Sequence, residues 1–350
     1  MERIRKHHLF WPVLVLVALL VFNLLYDPDF FRIQVRDGKL YGNLIDILFF
    51  GSPLALVAIG MTLVIATRGI DLSVGSVVAI SAAIACFTIS KGADQNDPGL
   101  VATAVLLALA ASALLGLWNG FLVTRVGIQP IVATLILMVT GRGIAQLITS
   151  GQIITVISPN YKVIGAGTLL WLPVSVYIAA LVFALAALLT RKTALGLFIE
   201  SVGCNPTASR LAGIRSVTVR LFAYLFCGFC AGLAGVILIL SSNVSSADGN
   251  NAGLWYELDA ILAVVIGGTS LNGGRFFLTG TLLGVLIIQT LTTTIYSTGV
   301  PPEVNLVVKA LVVLAVCLIQ SEGFRRTLAR SLVSVRPSHQ RVEGKVTTRG

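Results

Sequence analysis

The chain has 350 residues, of which 56% are hydrophobic and 11% charged, with a formal net charge of +10. A soluble protein of this length needs about a quarter of its residues charged to clothe its surface, so a mean hydropathy of +0.93 excludes that class. An ordinary nucleic-acid binder is excluded as well, because the positive charge is spread along the chain and not gathered on one face.

The opening carries Arg3, Arg5 and Lys6, and apolar sequence follows at once with no small-residue cleavage site. It reads as a retained first span, not a removed signal. A helix crossing the hydrocarbon core takes about 20 mostly apolar residues. Ten stretches qualify in chain order: 10–26, 44–66, 74–90, 99–121, 128–149, 169–190, 217–241, 256–270, 276–296 and 303–320. The expected fold class is all-α, a polytopic membrane protein of about ten transmembrane helices, since only helices and closed barrels satisfy the backbone in lipid. Residues 1–9 form a leading tail, 10–321 the membrane domain, and 322–350 a basic tail, helical to about Ser334 and disordered beyond. The eighth stretch is the least regular. It opens with Glu257 and Asp259 and ends at Gly267-Gly268, which points to a broken or partly re-entrant helix whose backbone must face protein or a wet cavity. Gly299, Pro301 and Pro302 enforce the turn between the last two spans.

Ten spans put both termini on one side, and the basic residues choose which. With both ends cytoplasmic, 18 Lys and Arg fall in inner segments and 5 in outer ones, while Arg142 and Lys309 lie within spans. Segments 91–98, 151–165 and 244–252 are then outside, and 201–215 and the C-terminal tail inside.

The longest inner loop, 191–216, carries its own helix punctuation. The Asn205 side chain suits an N-cap, Pro206 suits the first turn, and Gly213 can take a left-handed stop. Residues 206–212 (Pro206, Thr207, Ala208, Ser209, Arg210, Leu211, Ala212) should therefore form a two-turn helix. So short a helix is marginal alone. It docks either on the inner ends of the protein's own spans or on a separate soluble partner.

Here a resemblance becomes specific. Thr190–Ile214 (TRKTALGLFIESVGCNPTASRLAGI), Gly60–Ser76 (GMTLVIATRGIDLSVGS), Trp118–Leu135 (WNGFLVTRVGIQPIVATL) and Asn251–Gly274 (NAGLWYELDAILAVVIGGTSLNGG) resemble the permeases of bacterial ABC sugar importers of the ribose, xylose and galactose type. Gly69, Asp71, Leu72 and Gly75 belong to the second of these stretches. The likeness covers about residues 44–321, and its wording is nearer the galactofuranose branch than the ribose one. It implies a permease subunit, itself no enzyme, that moves a neutral monosaccharide inward across the bacterial inner membrane. Galactofuranose is the first expectation, ribose or another pentose or hexose the second. The implied partners are a cytoplasmic ATPase with two nucleotide-binding modules, which holds ATP and magnesium, a periplasmic sugar-binding protein, and a second permease chain, a paralogue or another copy. Helix 206–212 would seat on the ATPase. The chain departs from the family at Cys204, where Gly is usual, and near Pro206, where Glu or Gln is usual.

The residues themselves bear on these expectations. No Gly-rich loop ends in Gly-Lys-Ser or Gly-Lys-Thr, so that route to ATP is missing. The histidines, His7, His8 and His339, lie in the tails, and neither catalytic residues nor a metal site is expected. The five cysteines read as small buried hydrophobes. Asp71 reads more simply as a helix cap than as a catalytic acid. An ion-coupled carrier, the competing reading, needs ionisable groups deep in the bundle; Arg142, Lys309, Glu257 and Asp259 are few and expected near span ends, with Arg142 reaching the outer surface or an acid there. A non-transport scaffold ranks last. A sugar path needs amides, hydroxyls and aromatic faces, and the candidates are Asn119, Thr134, Gln146, Gln289 and Thr293 within spans, with Asn251, Trp255, Tyr256 and Glu257 in the outer stretch before the eighth. Asn119 leads, and each has the alternative of an interhelical bond or interfacial anchor. Finally, Gly69, Leu72 and Gly75 share their spacing with Gly268, Leu271 and Gly274, an echo that fits no simple five-helix inverted repeat.

Overall fold

The computed structural model describes residues 9–36, 39–238, 245–299 and 306–311, with residues 314 and 318. Its helices are α1 (Phe10–Tyr26), α2 (Asn43–Ala66), α3 (Val74–Ser90), α4 (Pro98–Phe121), α5 (Pro130–Thr149), α6 (Pro159–Ala166), α7 (Val174–Lys192), α8 (Ala194–Cys204), α9 (Pro206–Leu211), α10 (Ser216–Leu238), α11 (Tyr256–Ile266) and α12 (Leu278–Ser297). Three short antiparallel pairs join them: β1 (Gln34–Arg36) with β2 (Lys39–Tyr41), β3 (Ile154–Val156) with β6 (Ser245–Ala247), and β4 (Thr168–Leu169) with β5 (Leu172–Pro173). Six helices (α2, α4, α5, α7, α10 and α12) are long and apolar enough to cross a membrane, and α1 and α3 are apolar but shorter.

The expected spans 10–26, 44–66, 74–90, 99–121, 128–149, 217–241 and 276–296 correspond to α1 to α5, α10 and α12. Three regions differ. The stretch 169–190 becomes helical only at Val174, because Leu170 and Trp171 take positive φ in the β4–β5 hairpin. The loop 191–216 is mostly helix: α7 runs to Lys192, and α8 starts where Thr193 accepts the Leu195 amide at 3.2 Å. Leu195, Phe198, Ile199 and Val202 carry that helical spacing inside a stretch read as connection. The eighth stretch holds only the 11-residue α11, about 16 Å of rise, too short to cross. Of the tenth, residues 306–311, 314 and 318 are helical. Its remainder, Pro301, Pro302, Cys317, residues 1–8 and the tail 322–350 lie outside the described residues.

Packing makes α2 the centre. Of its most apolar window 83% is buried, against 28% for α4, α5 and α7, whose Leu106, Leu147 and Leu181 stay exposed as lipid-facing side chains do. The α10 helix lies against α2, α3 and α4 through small residues: a Cβ at Gly60 would stand 2.8 Å from Cys227 Cα, and one at Gly116 2.9 Å from Gly228 Cα. Close backbone approach is the main source of helix association where lipid tails are as apolar as leucine. Cys86, Cys227 and Cys230 are buried in this packing, as small hydrophobes, while Cys204 is exposed.

The bundle has two distinct ends. At one, β3 pairs with β6, and Asn160 donates to the Asn96 carbonyl at 2.6 Å. Segments 91–98, 151–165 and 245–252, which the charge bias puts on one side, thus meet in space. At the other end the α2–α3 connection, the α8–α9 junction and the α11–α12 connection come together.

Candidate functional site

The short helix α9 forms as its punctuation dictates. Asn205 Oδ1 accepts the amides of Thr207 and Ala208, both at 3.0 Å, and Pro206 opens the first turn. Ala212 is the C-cap, one residue earlier than expected; Gly213 follows at φ +85, and the Ile214 amide closes on the Ser209 carbonyl at 2.9 Å. Ser209 is buried against the bundle, whereas Thr207, Ala208, Arg210 and Leu211 face outward, Leu211 at 86% exposure. A cleft of about 550 Å³ beside it is lined by Leu195 and Phe198 of α8 and Ile214, Val219 and Phe222 around the start of α10. One face of α9 thus rests on its own protein, and the other is open.

A three-way backbone contact stands directly behind α9. A Cβ at Gly203, near the end of α8, would collide with the Ala66 carbonyl of α2 and lie 2.5 Å from the Gly274 amide, which itself donates to Ala66 O at 2.9 Å. Arg68, at φ +63, adds a bond from Nε to the Asn272 carbonyl at 2.9 Å. The helices α2 and α11 end in the same cap, Gly69 N to Val64 O and Thr269 N to Val264 O, with Arg68 and Gly268 left-handed. This shared cap geometry lies one residue out of register with the Gly69/Gly268 echo, since it equates Arg68 with Gly268 and Gly69 with Thr269.

The polar candidates separate into groups. Asn119 is fully buried and donates to Ser73 Oγ at 2.8 Å, and its Oδ1 has no partner. Asp71 accepts from the Ser73 amide and hydroxyl, at 3.0 and 2.6 Å; it shapes the turn into α3, while Ser73 holds the N-cap position. Thr134 bonds the Pro130 carbonyl at 2.9 Å. These three fasten α3, α4 and α5. Gln146 donates to Asn250, and Asn251 to Asp248 at 2.7 Å, within the irregular segment 248–255. Arg142 is half-buried, and its guanidinium donates to the carbonyls of Asn250 at 3.2 Å and Ala252 at 2.5 Å. Two carbonyls of the irregular segment that leads into α11 are thereby satisfied by protein. Glu257, 3% exposed with Oε2 unpartnered, packs on Gly75, and Leu72 lies in the turn before α3.

Of the sugar-path candidates, Trp255, Tyr256, Gln289 and Thr293 line a cavity of about 720 Å³ between α2, α11 and α12. Asp46, Thr292 and Tyr296, not singled out by sequence, join them, as do Asp259 and Lys309, weighed there only as ionisable groups and not as path residues. Lys309 Nζ lies 2.9 Å from Asp259 Oδ2, with side chains 14% and 16% exposed. The signal was present in α12, where Gln289, Thr292, Thr293 and Tyr296 recur at i, i+3, i+4 and i+7, one polar stripe on an apolar span.

A helical bundle with two organised ends, a capped helix outside the bundle and a polar cavity inside it defines a polytopic membrane permease. The chain belongs to the family described as the permease component of branched-chain amino acid transport systems, whose model matches residues 43–317. Among its relatives, the galactofuranose transporter permease YtfT of Escherichia coli is 51% identical over 91% of this chain and 93% of its own. The ribose import permease RbsC of Escherichia coli is 39% identical over 88% and 92%, and the fructose import permease FruF of Bifidobacterium longum 38% over 91% and 89%. No solved structure gives a significant match.

Proposed function

We propose that this chain is one permease subunit of an ATP-driven importer that moves galactofuranose, unchanged, from periplasm to cytoplasm through the bacterial inner membrane. The observation that carries it is α9, a capped helix with an exposed Leu211 and Arg210 at the end rich in basic residues. The 51% identity to a galactofuranose permease supports the choice of sugar. The partners are a cytoplasmic ATPase with two nucleotide-binding modules, which carries ATP and magnesium, a periplasmic binding protein and a second, paralogous permease. Both termini are cytoplasmic in this arrangement, and α9 seats on the ATPase. The Lys309–Asp259 pair within the cavity, with the buried Asp71 and Glu257, favours an ion-coupled carrier instead. Purification in detergent separates the readings. The importer reading expects an ATPase to remain bound and its hydrolysis to rise with sugar-loaded binding protein; a chain that purifies alone and moves sugar down a proton gradient contradicts it.

A further inference from the structure

The cavity between α2, α11 and α12 has the features of a binding site. It runs from Asn43 to Leu54 along α2, about 16 Å of helix, and so reaches roughly mid-bundle from the end where α2 begins. Below it, the Thr62 and Thr281 hydroxyls bond at 2.8 Å and clamp α2 to α12, and deeper still the Ala66–Gly274 bond ties the end of α2 to the α11–α12 connection. The space is therefore open at one end and shut at the other. Its volume of about 720 Å³ falls inside the usual range for small-molecule sites, about 300–1,000 Å³.

Its chemistry narrows the ligand. An ionisable pair at this depth is costly and marks a functional site. The pair is neutral overall, and it leaves Asp259 Oδ1 and two Lys309 N–H groups without a hydrogen-bond partner among the described residues. An acceptor and donors held side by side match the alternating donor and acceptor character of neighbouring hydroxyls on a sugar. The Gln289 amide, likewise without a hydrogen-bond partner among the described residues, and the Tyr296 hydroxyl add more of the same. Trp255, held at φ +66 and 45% exposed, presents an aromatic surface at the same space. The stripe along α12 is hydroxyl and amide, and Phe50, Leu54, Leu254 and Leu306 add apolar lining; an aliphatic side chain would leave that polar stripe unpaired.

Resting on the permease reading above, we propose that this cavity is the outward-open site for one neutral monosaccharide, bound by the Asp259–Lys309 pair and Gln289 with Trp255 beside them. The test uses the full-length chain reconstituted with its ATPase and binding protein. Trp255→Ala, and separately Asp259→Asn combined with Lys309→Gln, should each lower sugar uptake about tenfold, the effect of losing one good contact. Binding-protein-stimulated ATP hydrolysis should stay within about twofold, because the coupling face is untouched, and Trp255→Phe should recover most of the uptake. A second readout is independent of turnover. In the full chain carrying Gln289→Cys and Cys204→Ser, D-galactose at twice its dissociation constant should slow maleimide labelling about threefold, while leucine should not. Sugar uptake by the wild type with both variants unaffected, or Gln289→Cys labelling indifferent to D-galactose at any concentration, overturns the site alone. A wild-type complex that moves leucine and no sugar overturns the permease reading and the site's ligand together.

Discussion

Asn119 sits where α4 meets the entrance of α3 and is fully buried. Its bond to Ser73 makes it a fastener rather than a path residue. Asn119→Ala removes that donor but also the unpartnered Oδ1, so the expected loss is small, about 1 kcal/mol, read as a modest fall in Tm with uptake largely kept. Asn119→Asp puts a second carboxylate beside Asp71, now 3.4 Å from Nδ2, and should destabilise far more through like-charge repulsion. Equal Tm values for the two variants, or uptake lost in Asn119→Ala at unchanged Tm, would return the residue to the path. The α9 caps allow a parallel comparison. Asn205→Ala should cost the helix about 1 kcal/mol and weaken sugar-stimulated ATP hydrolysis, with Asn205→Asp close to wild type. Nothing lies within 4 Å of a Cβ built at Gly213, so Gly213→Val acts through backbone strain of about 1–2 kcal/mol, and Gly213→Asn should be better tolerated. Normal coupling in all of these variants would remove α9 from the transmission.

Between elements, the contact of Gly203 with Ala66 and Gly274 links α8, which leads into α9, to α2, which walls the cavity, and to the α11–α12 connection. Both partners are backbone atoms and cannot rotate aside, so a methyl group must push α8 away from α2. Gly203→Ala should therefore leave ATP hydrolysis running while uptake falls, whereas Cys204→Ala, at an exposed side chain, should preserve both; Gly203→Ala with normal uptake would contradict a rigid link. None of this three-way contact was legible in sequence, because it joins residues from three distant segments through backbone atoms that no pattern marks. The α9 caps were legible, since Asn205, Pro206 and Gly213 each act on neighbours a few residues away. Most span boundaries were legible for the same reason: apolar runs end where Asp97 and Pro98 or Gly127 impose a local stop. The hydrogen-bond partners of Arg142 were not legible, because they are carbonyls of an irregular segment 108 and 110 residues away. The Asp259–Lys309 pair was likewise beyond a reading that took each ionisable group singly.

For the molecule as a whole, the two ends of the bundle carry the account: an open polar cavity toward one and α9 at the other. Orientation follows from the 18-to-5 distribution of basic residues. Impermeant thiol reagents decide it on single cysteines, and Ala208→Cys is the site to use, since Ser209 is 5% exposed and would stay silent on either side. Labelling from the cytoplasmic face at Ala208→Cys and from the periplasmic face at Asn96→Cys is expected; the reverse pattern inverts the transporter. The central claim is that this chain passes a sugar inward at the expense of ATP hydrolysed elsewhere. Its most direct measurement is uptake of radiolabelled galactofuranose and ribose into vesicles containing the permease pair, the ATPase and the binding protein. The account predicts galactofuranose accumulation that requires ATP and the ATPase and survives a proton ionophore. Uptake that persists without the ATPase and collapses with the proton gradient would contradict it.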